Sequence, residues 1–434
     1  MKRLVCDKSF KLIYSKFYLI SEAIIGTLLF SIILLLRPII NIRIGRINNK
    51  VIGHISMETD YSIFKILNES HKRQVNIWYF ASETSCNKFL QNQIRNHLYM
   101  FPRILLSGTF KKIQASNFCK DNLIPYYDFK RAIAYPEVTK ILPDLWYRLY
   151  NTPGFNDFFS ASPEDIYNLK NRIGVTKDFF ACVNVRDHEF KKAELNSRKY
   201  GNITKDRIRE ILAFDEFRNS NIENYLSSSI VMAENNIDFI RIGKKAVKLS
   251  NPLNYEIIDY ANSNLRNDRD DILLLANAKF IIGTGNGVDD FARWARTPVF
   301  LIDLGHFNIF TSIFYGPADL TPVVLPKIIR EKSSGKILSI KEINELKIMS
   351  LNPEQFQAFI NSKGCPIILE LNDPTTISKT VSLGINYLDR ELLDNKHANN
   401  LFELGQNLFF ELYRINLGFN VPALSPWWPN AAQV

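Results

Sequence analysis

The chain opens on a long apolar run and then settles into alternation. Phe17 to Leu36 (FYLISEAIIGTLLFSIILLL) carries one charge, Glu22. As a helix it rises roughly 30 Å, about the thickness of a bilayer's hydrocarbon core. Pro38 to Ile44 is rich in β-branched residues and reads as a buried strand. A helical pattern spans Ser56 to Leu67, a second strand Gln74 to Phe80, a second helix Asn87 to Leu98, and Arg103 to Leu106 reads as a third short strand. Strands alternating with helices predict a parallel α/β layer.

Residues 110–178 break the rhythm with Pro125, Pro136, Pro143, Pro153 and Pro163 and an aromatic, turn-rich stretch from Leu142 to Phe159. The alternation then returns. FFACVNV (179–185) is a strand. Asn221 to Asn235 is an amphipathic helix with Ile222, Tyr225, Leu226 and Ile230 near one face. Ile237 to Ile242 and Glu256 to Asp259 are strands, Arg269 to Ala278 a helix, and Lys279 to Ile282 a strand. A glycine-rich turn leads into a helix from Val288 to Ala295, and Pro298 to Ile302 closes the series as a strand. This is the doubly wound pattern. Residues 346–424 read as mainly helical with a strand at Pro366 to Leu371, and the tail Pro426-Trp427-Trp428-Pro429 is expected to dock on the chain. The expected fold is α/β, with two Rossmann-like doubly wound domains and an amino-terminal apolar helix. Its parts are a membrane-associating segment (1–36), an acceptor-side domain (37–178), a donor-binding domain (179–345) and a helical region packing back on them (346–434).

Composition narrows the class. The chain has 434 residues, 46% of them apolar, a net charge of +10 and a pI near 9.1. A basic chain favours anionic partners, but its cations are scattered among acids with no arginine-rich tract, so nucleic acid is not an expected partner. Five unpaired-looking cysteines argue against a disulfide framework. Six histidines at no zinc-binding spacing give no metal site. Lys2, Arg3, Lys8, Lys11 and Lys16 precede the apolar run and Arg37, Arg43 and Arg46 follow it, with no small-residue cleavage site. The run therefore spans a membrane, lies in its interface, or forms a core helix; a cleaved signal is disfavoured.

In a doubly wound sheet, ligands bind beyond the carboxyl ends of the strands. That rule selects Arg186, Asp187, Arg241, Gly243, Lys244, Asp259 and the turn Gly283-Thr284-Gly285-Asn286-Gly287. Glycines let a backbone approach a ligand closely, and N–H groups at a helix start attract anions, so the turn suits a diphosphate. It lacks the spacing of the dinucleotide fingerprint and the P-loop lysine, and a tight turn without ligand explains it as well. Arg241 and Lys244 would neutralise a departing diphosphate, and Arg186 would grip phosphate bidentately. The run 266–271 reads as a capped helix start. In the first half, His54 is the candidate general base, with Glu58 and then Asp60 as runners-up.

These residues carry a resemblance. Arg37 to His54 (RPIINIRIGRINNKVIGH) followed by Glu58 to Tyr61, then CVNVRD (182–187), FRNSNIENY (217–225), IRIGK (240–244), IIDYANS (257–263) and FIIGTGNG (280–287), resemble in order and spacing a family of bacterial glycosyltransferases associated with surface-polysaccharide synthesis. The resemblance covers roughly residues 37–305. It implies a two-domain fold of the GT-B type, with Arg186, Arg241, Lys244 and the 283–287 turn at the donor site. Asn219, Asn221 and Tyr225 lie in a family-like stretch, where a helix-capping role for the asparagines serves equally well. Family members often carry serine where this chain has Asn286.

The expected activity is transfer of a sugar from a nucleotide diphosphate sugar to a surface-polysaccharide or lipid-linked glycan. No cofactor or metal is expected, and the place is the cytoplasmic face of the inner membrane, peripheral or single-span. The rivals are a sugar-nucleotide epimerase on the same fold and a non-catalytic glycan-assembly partner.

Overall fold

The computed structural model describes residues 2–68, 73–116, 119–124, 154, 161–196, 204–250, 255–305, 323–348, 351, 353–389 and 423–424. The stretch Leu142 to Phe159, apart from Gly154, and the Pro426–Pro429 tail lie outside the described residues. By contacts the chain divides into two compact units, Met1–Asp128 and Phe129–Val434.

In the first unit, helix α1 (Lys2–Leu36) runs into strand β1 (Asn41–Ile47), helix α2 (Ile52–Asn68) and strand β2 (Gln74–Phe80). β1 and β2 pair in parallel from Asn41↔Gln74 to Ile47↔Phe80. Helix α3 (Lys88–His97) is capped by Asn87, whose side chain accepts from the Leu90 N–H at 2.8 Å. Helix α4 (Arg103–Ala115) covers the sheet, its Leu106, Phe110 and Ile113 packing with Ile44 and Tyr79.

Two corrections follow. Arg103 to Leu106 is not a third strand but the first turn of α4. Its apolar residues recur at 106, 110 and 113, the period of a helix buried on one face. The described residues of this unit also form a two-stranded sheet rather than a full doubly wound one. Single parallel bridges, Trp78↔Met100 on one edge and Ile44↔Leu123 on the other, extend it.

In the second unit, helix α5 (Pro163–Ile173) starts on a capping box of Ser162 and Asp165 and ends at Gly174, whose φ of 86° suits a residue without Cβ. Strand β3 (Phe179–Asn184), helices α6 (Glu189–Leu195), α7 (Lys205–Phe214) and α8 (Ser228–Glu234), and strands β4 (Ile237–Arg241) and β5 (Ile257–Asp259) follow. Helix α9 (Asp268–Asn277), strand β6 (Ile281–Gly283), helix α10 (Gly287–Trp294) and strand β7 (Val299–Leu304) complete the middle of the unit. Strands β8 (Val323–Pro326) and β9 (Ile328–Glu331), helices α11 (Ile340–Glu345) and α12 (Pro353–Ile360), strand β10 (Ile367–Glu370), helix α13 (Pro374–Leu388) and strand β11 (Ala423–Leu424) end it.

Seven of these strands form one parallel sheet in the order β11-β8-β7-β6-β3-β4-β5. Chain direction across the sheet reverses between β3 and β6. The core holds Phe239, Ile282, Phe300 and Ile302, with the Phe280 and Phe300 rings stacked at 4.3 Å. Gly384 of α13 lies so close to Phe300 that a Cβ there would sit 2.6 Å from the ring. The expected helix Asn221–Asn235 is instead a 3₁₀ turn (Ile222–Tyr225) followed by α8. Asn221 caps the turn by accepting from the Glu223 N–H, and the Tyr225 hydroxyl is tied to buried Asp303, so the segment cannot run straight.

Candidate functional site

The strand order reverses between β3 and β6, and in a doubly wound sheet ligands bind beyond the carboxyl ends of the strands at such a point, where the connections leave on opposite faces. Residues from both strands meet there. The Arg186 N–H, two residues past β3, donates to the Thr284 hydroxyl past β6 at 3.1 Å. The Arg186 guanidinium donates to Asp215 at 3.0 Å and to the Asn219 side-chain oxygen at 3.4 Å. Burial, with Arg218 close by, lowers its pKa to about 10, so it stays a cation at neutral pH. Arg218 reaches the Gly285 carbonyl at 3.5 Å, and its buried Nε has no hydrogen-bond partner.

Lys327, almost fully buried, fastens this corner. Its ammonium donates to the Phe217 carbonyl at 2.8 Å and the Asn219 carbonyl at 2.5 Å. Burial pulls its pKa down to about 8. His188 joins the edge, 3.1 Å from the Asn219 amide and 3.2 Å from Glu216. Asp215, Arg218, His188 and Lys327 were not singled out from sequence. Arg218 lies inside the family-like stretch 217–225, which held the one available signal; the others converge only through the fold.

The glycine-rich turn is built for an anion, and the chain supplies one. The Asp289 carboxylate accepts from the Gly285 N–H at 2.8 Å and the Asn286 N–H at 2.7 Å. The Asn286 side chain accepts from the Val288 N–H at 2.9 Å. Gly283 makes room for this: a Cβ there would lie 2.0 Å from an Asp289 oxygen. Gly285 takes a φ of 79°, where glycine is favoured. Burial raises the Asp289 pKa to about 7, against the two backbone N–H bonds and nearby Arg293 that favour its charged form. A diphosphate here therefore meets an occupied cradle, with Arg186 and Arg218 beside it as the cations.

The other candidates on the second unit lie at the ends of β4 and β5. Arg241 is buried, 3.6 Å from the Asp259 carboxylate, and burial lowers its pKa. Asp259 also accepts from Asn262 at 2.9 Å. Gly243 has a φ of 146°, and its carbonyl accepts from Arg266 at 2.8 Å. Lys244 is exposed beside it. Asp187 accepts from the Glu189 and Val247 N–H groups at 2.9 and 3.0 Å, which makes it a loop clasp. The Asn184 amide, donating to the Ile242 carbonyl at 3.1 Å, ties the β3 loop to the β4 loop.

On the first unit, His54 and Glu58 sit one turn apart on α2, the half-exposed imidazole 3.6 Å from the buried carboxylate. The other Glu58 oxygen accepts from the Asn48 N–H at 2.5 Å. Asn49 clasps the loops after β1 and β2, donating to the Ser82 carbonyl and accepting from the Ser82 N–H. Asp60 is buried on the same helix. Among the described residues no cluster of three or more His, Cys, Asp or Glu side chains is arranged to hold a metal ion.

No protein-family model and no curated protein matches the chain. Among solved structures, it is similar to the iron-containing dodecameric glycosyltransferase TibC of enterotoxigenic E. coli H10407, at 12% identity and a TM-score of 0.39, over 81% of this chain and 78% of that one. It is also similar to the E. coli ADP-heptose lipopolysaccharide heptosyltransferase II, at 7% identity and a TM-score of 0.30, over 60% of this chain and 84% of that one. TibC in complex with ADP-D-β-D-heptose gives 14% identity and a TM-score of 0.31, over 82% and 77%. These likenesses are loose, and the strand order of the second unit stands on this chain's own pairings.

Proposed function

We propose that the chain is a bacterial glycosyltransferase at the cytoplasmic face of the inner membrane. It takes a sugar from a nucleotide diphosphate sugar and adds it to a lipid-linked surface-polysaccharide glycan. The observation that carries this reading is the pair Arg186 and Arg218 at the switch point between β3 and β6, where a doubly wound sheet binds nucleotides. The family resemblance supplies the reaction class.

In that reaction the bond between the sugar's anomeric carbon and the diphosphate oxygen breaks. The electron pair leaves with the nucleoside diphosphate, and the anomeric carbon bonds to an acceptor hydroxyl oxygen. Negative charge grows on the leaving diphosphate, and fixed cations beside it stabilise the transition state more than the ground state. Arg186 and Arg218 supply that charge, with exposed Lys244 on the β4 side and Arg241 behind it paired to Asp259. The hydroxyl's proton passes to a general base, a role for which the first unit offers His54, 3.6 Å from the Glu58 carboxylate.

The test is release of nucleoside diphosphate from a panel of nucleotide sugars, with and without a membrane lipid extract as acceptor. Acceptor-dependent release that falls in Arg218→Ala is the expected result. Interconversion of the sugar without acceptor would mean an epimerase. No turnover and no nucleotide binding would mean a non-catalytic partner in glycan assembly.

A further inference from the structure

The helix α1 presents two faces of unlike character. Its inner face, at Glu22, Gly26, Leu29, Phe30 and Ile33, packs on the first unit. Gly26 meets Gly108 of α4 backbone to backbone: a Cβ on Gly26 would come within 2.6 Å of the Gly108 carbonyl carbon. Glu22, the one charged residue in the run from Phe17 to Leu36, is turned inward and paired with Lys111 of α4 at 2.7 Å. The outer face is apolar and open to solvent, with Ile20 59%, Ile24 56%, Leu28 61% and Leu35 77% exposed. The hydroxyls near that face are already satisfied within the helix, Thr27 by the Ala23 carbonyl at 2.8 Å and Ser31 by the Thr27 carbonyl at 3.1 Å.

We infer that α1 lies in the plane of an anionic phospholipid surface, its outer face sunk among the acyl chains and its inner face held by α4, without crossing the bilayer. Length and hydropathy alone would let Lys16–Leu36 span, with a mean hydropathy of 2.4. The fastening to α4 prevents it. A spanning α1 would carry its midpoint, and with it Gly108, the Lys111–Glu22 ion pair and the sheet beneath α4, into hydrocarbon, where strand edges have no partners and a charged pair is costly.

An interfacial helix needs an apolar stripe on one side only, and here that stripe repeats every three or four residues. The segment before it holds Lys2, Arg3, Lys8, Lys11 and Lys16 against one acid, Asp7, which selects an anionic headgroup layer over a second copy of this cationic chain. Hydroxyls bonded to their own helix carry no unmet hydrogen bond into lipid. The inference does not depend on sugar transfer: lipid binding is read without donor or acceptor, and either can fail alone.

The experiment is co-flotation of the full chain with vesicles of phosphatidylcholine containing roughly one-third phosphatidylglycerol, against phosphatidylcholine alone. Binding should be at least about tenfold stronger on the anionic vesicles. It should fall by about tenfold or more in the triple variant Ile20→Asn, Ile24→Asn, Leu28→Asn, with an unchanged melting midpoint showing that the fold survives. Depth quenching from single labels at positions 17, 24 and 35 should place all three at similar, shallow depth. A label at 24 near the bilayer centre with 17 and 35 on opposite sides would overturn the in-plane placement. So would vesicle binding unaffected by the triple variant, or a stable dimer that the variant dissolves while vesicles are ignored.

Discussion

Asp289 is a carboxylate folded into its own helix start, with one oxygen on two backbone N–H groups and the other buried without a partner. Its folded pKa of about 7 lies above the ordinary 3.8. A raised acid holds a proton in the folded state that the unfolded chain has lost. Its contribution is therefore most favourable below about pH 4 and is lost as pH rises towards 7. The difference is on the order of a few kcal/mol. Asp289→Asn keeps an acceptor oxygen on the two N–H groups and cannot ionise. Its melting midpoint should fall less than that of the wild type between pH 4 and 7; parallel profiles would contradict the burial argument. At the same corner, Arg186→Ala and Arg218→Ala should each weaken nucleoside diphosphate binding by roughly 10- to 100-fold, the worth of a charge-assisted hydrogen bond. The fold should tolerate Arg186→Ala, because Asp215 keeps a bond from Gln357 at 3.0 Å. Calorimetric titration of the folded variants decides this, and unchanged affinity would remove that arginine from the site.

The β6–turn–α10 element shows what a sequence discloses and what it hides. Its glycines are readable in the one-dimensional pattern, because a tight turn between strand and helix needs them locally, whereas the Asn286…Asp289 capping box emerges from the structure. That Gly283 exists to admit Asp289 is a matter of three dimensions. Gly283→Ala should destabilise by about 1–3 kcal/mol through the clash. Asp289→Ala added to it should recover part of that loss, since the two act on one contact. Additive losses in a denaturant double-mutant cycle would show that the glycine serves something else. Elsewhere, β3, β4, β6 and β7 were legible as apolar runs ending in glycine or charge, as strands buried on both faces must be. The break between Tyr225 and Ser228 was not legible, because the force that bends it comes from Asp303, far along the chain. Asp303 itself, with a φ of 52°, is held by Ser220, Tyr225 and Asn372. Nor were β8 and β9, where Pro326 ends a strand of the large sheet and the chain turns at once into an antiparallel pair with β10.

Across the whole molecule, the two units divide the proposed work. The first holds the apolar helix and the His54–Glu58 pair; the second holds the large sheet and its arginines. A net charge of +10 suits a protein whose proposed ligands, a diphosphate and an anionic lipid surface, are both negative. The strand-end rule selected Arg186 and the glycine turn, and the fold brings the two together where the Arg186 N–H meets the Thr284 hydroxyl, because both follow strand ends. It did not reveal that Arg241 is buried and paired with Asp259, since which side of a strand faces the packed helices is decided by the full sheet. The carboxyl ends of β3 and β6, at the reversal of strand order, are the proposed binding site for a nucleotide diphosphate sugar. Calorimetric titration of the purified chain with a panel of nucleoside diphosphates tests it most directly. Saturable binding of one base over the others, weakened in Arg186→Ala and Arg218→Ala alike, is the expected result. No binding of any of them at millimolar concentration, or binding indifferent to both substitutions, would contradict it.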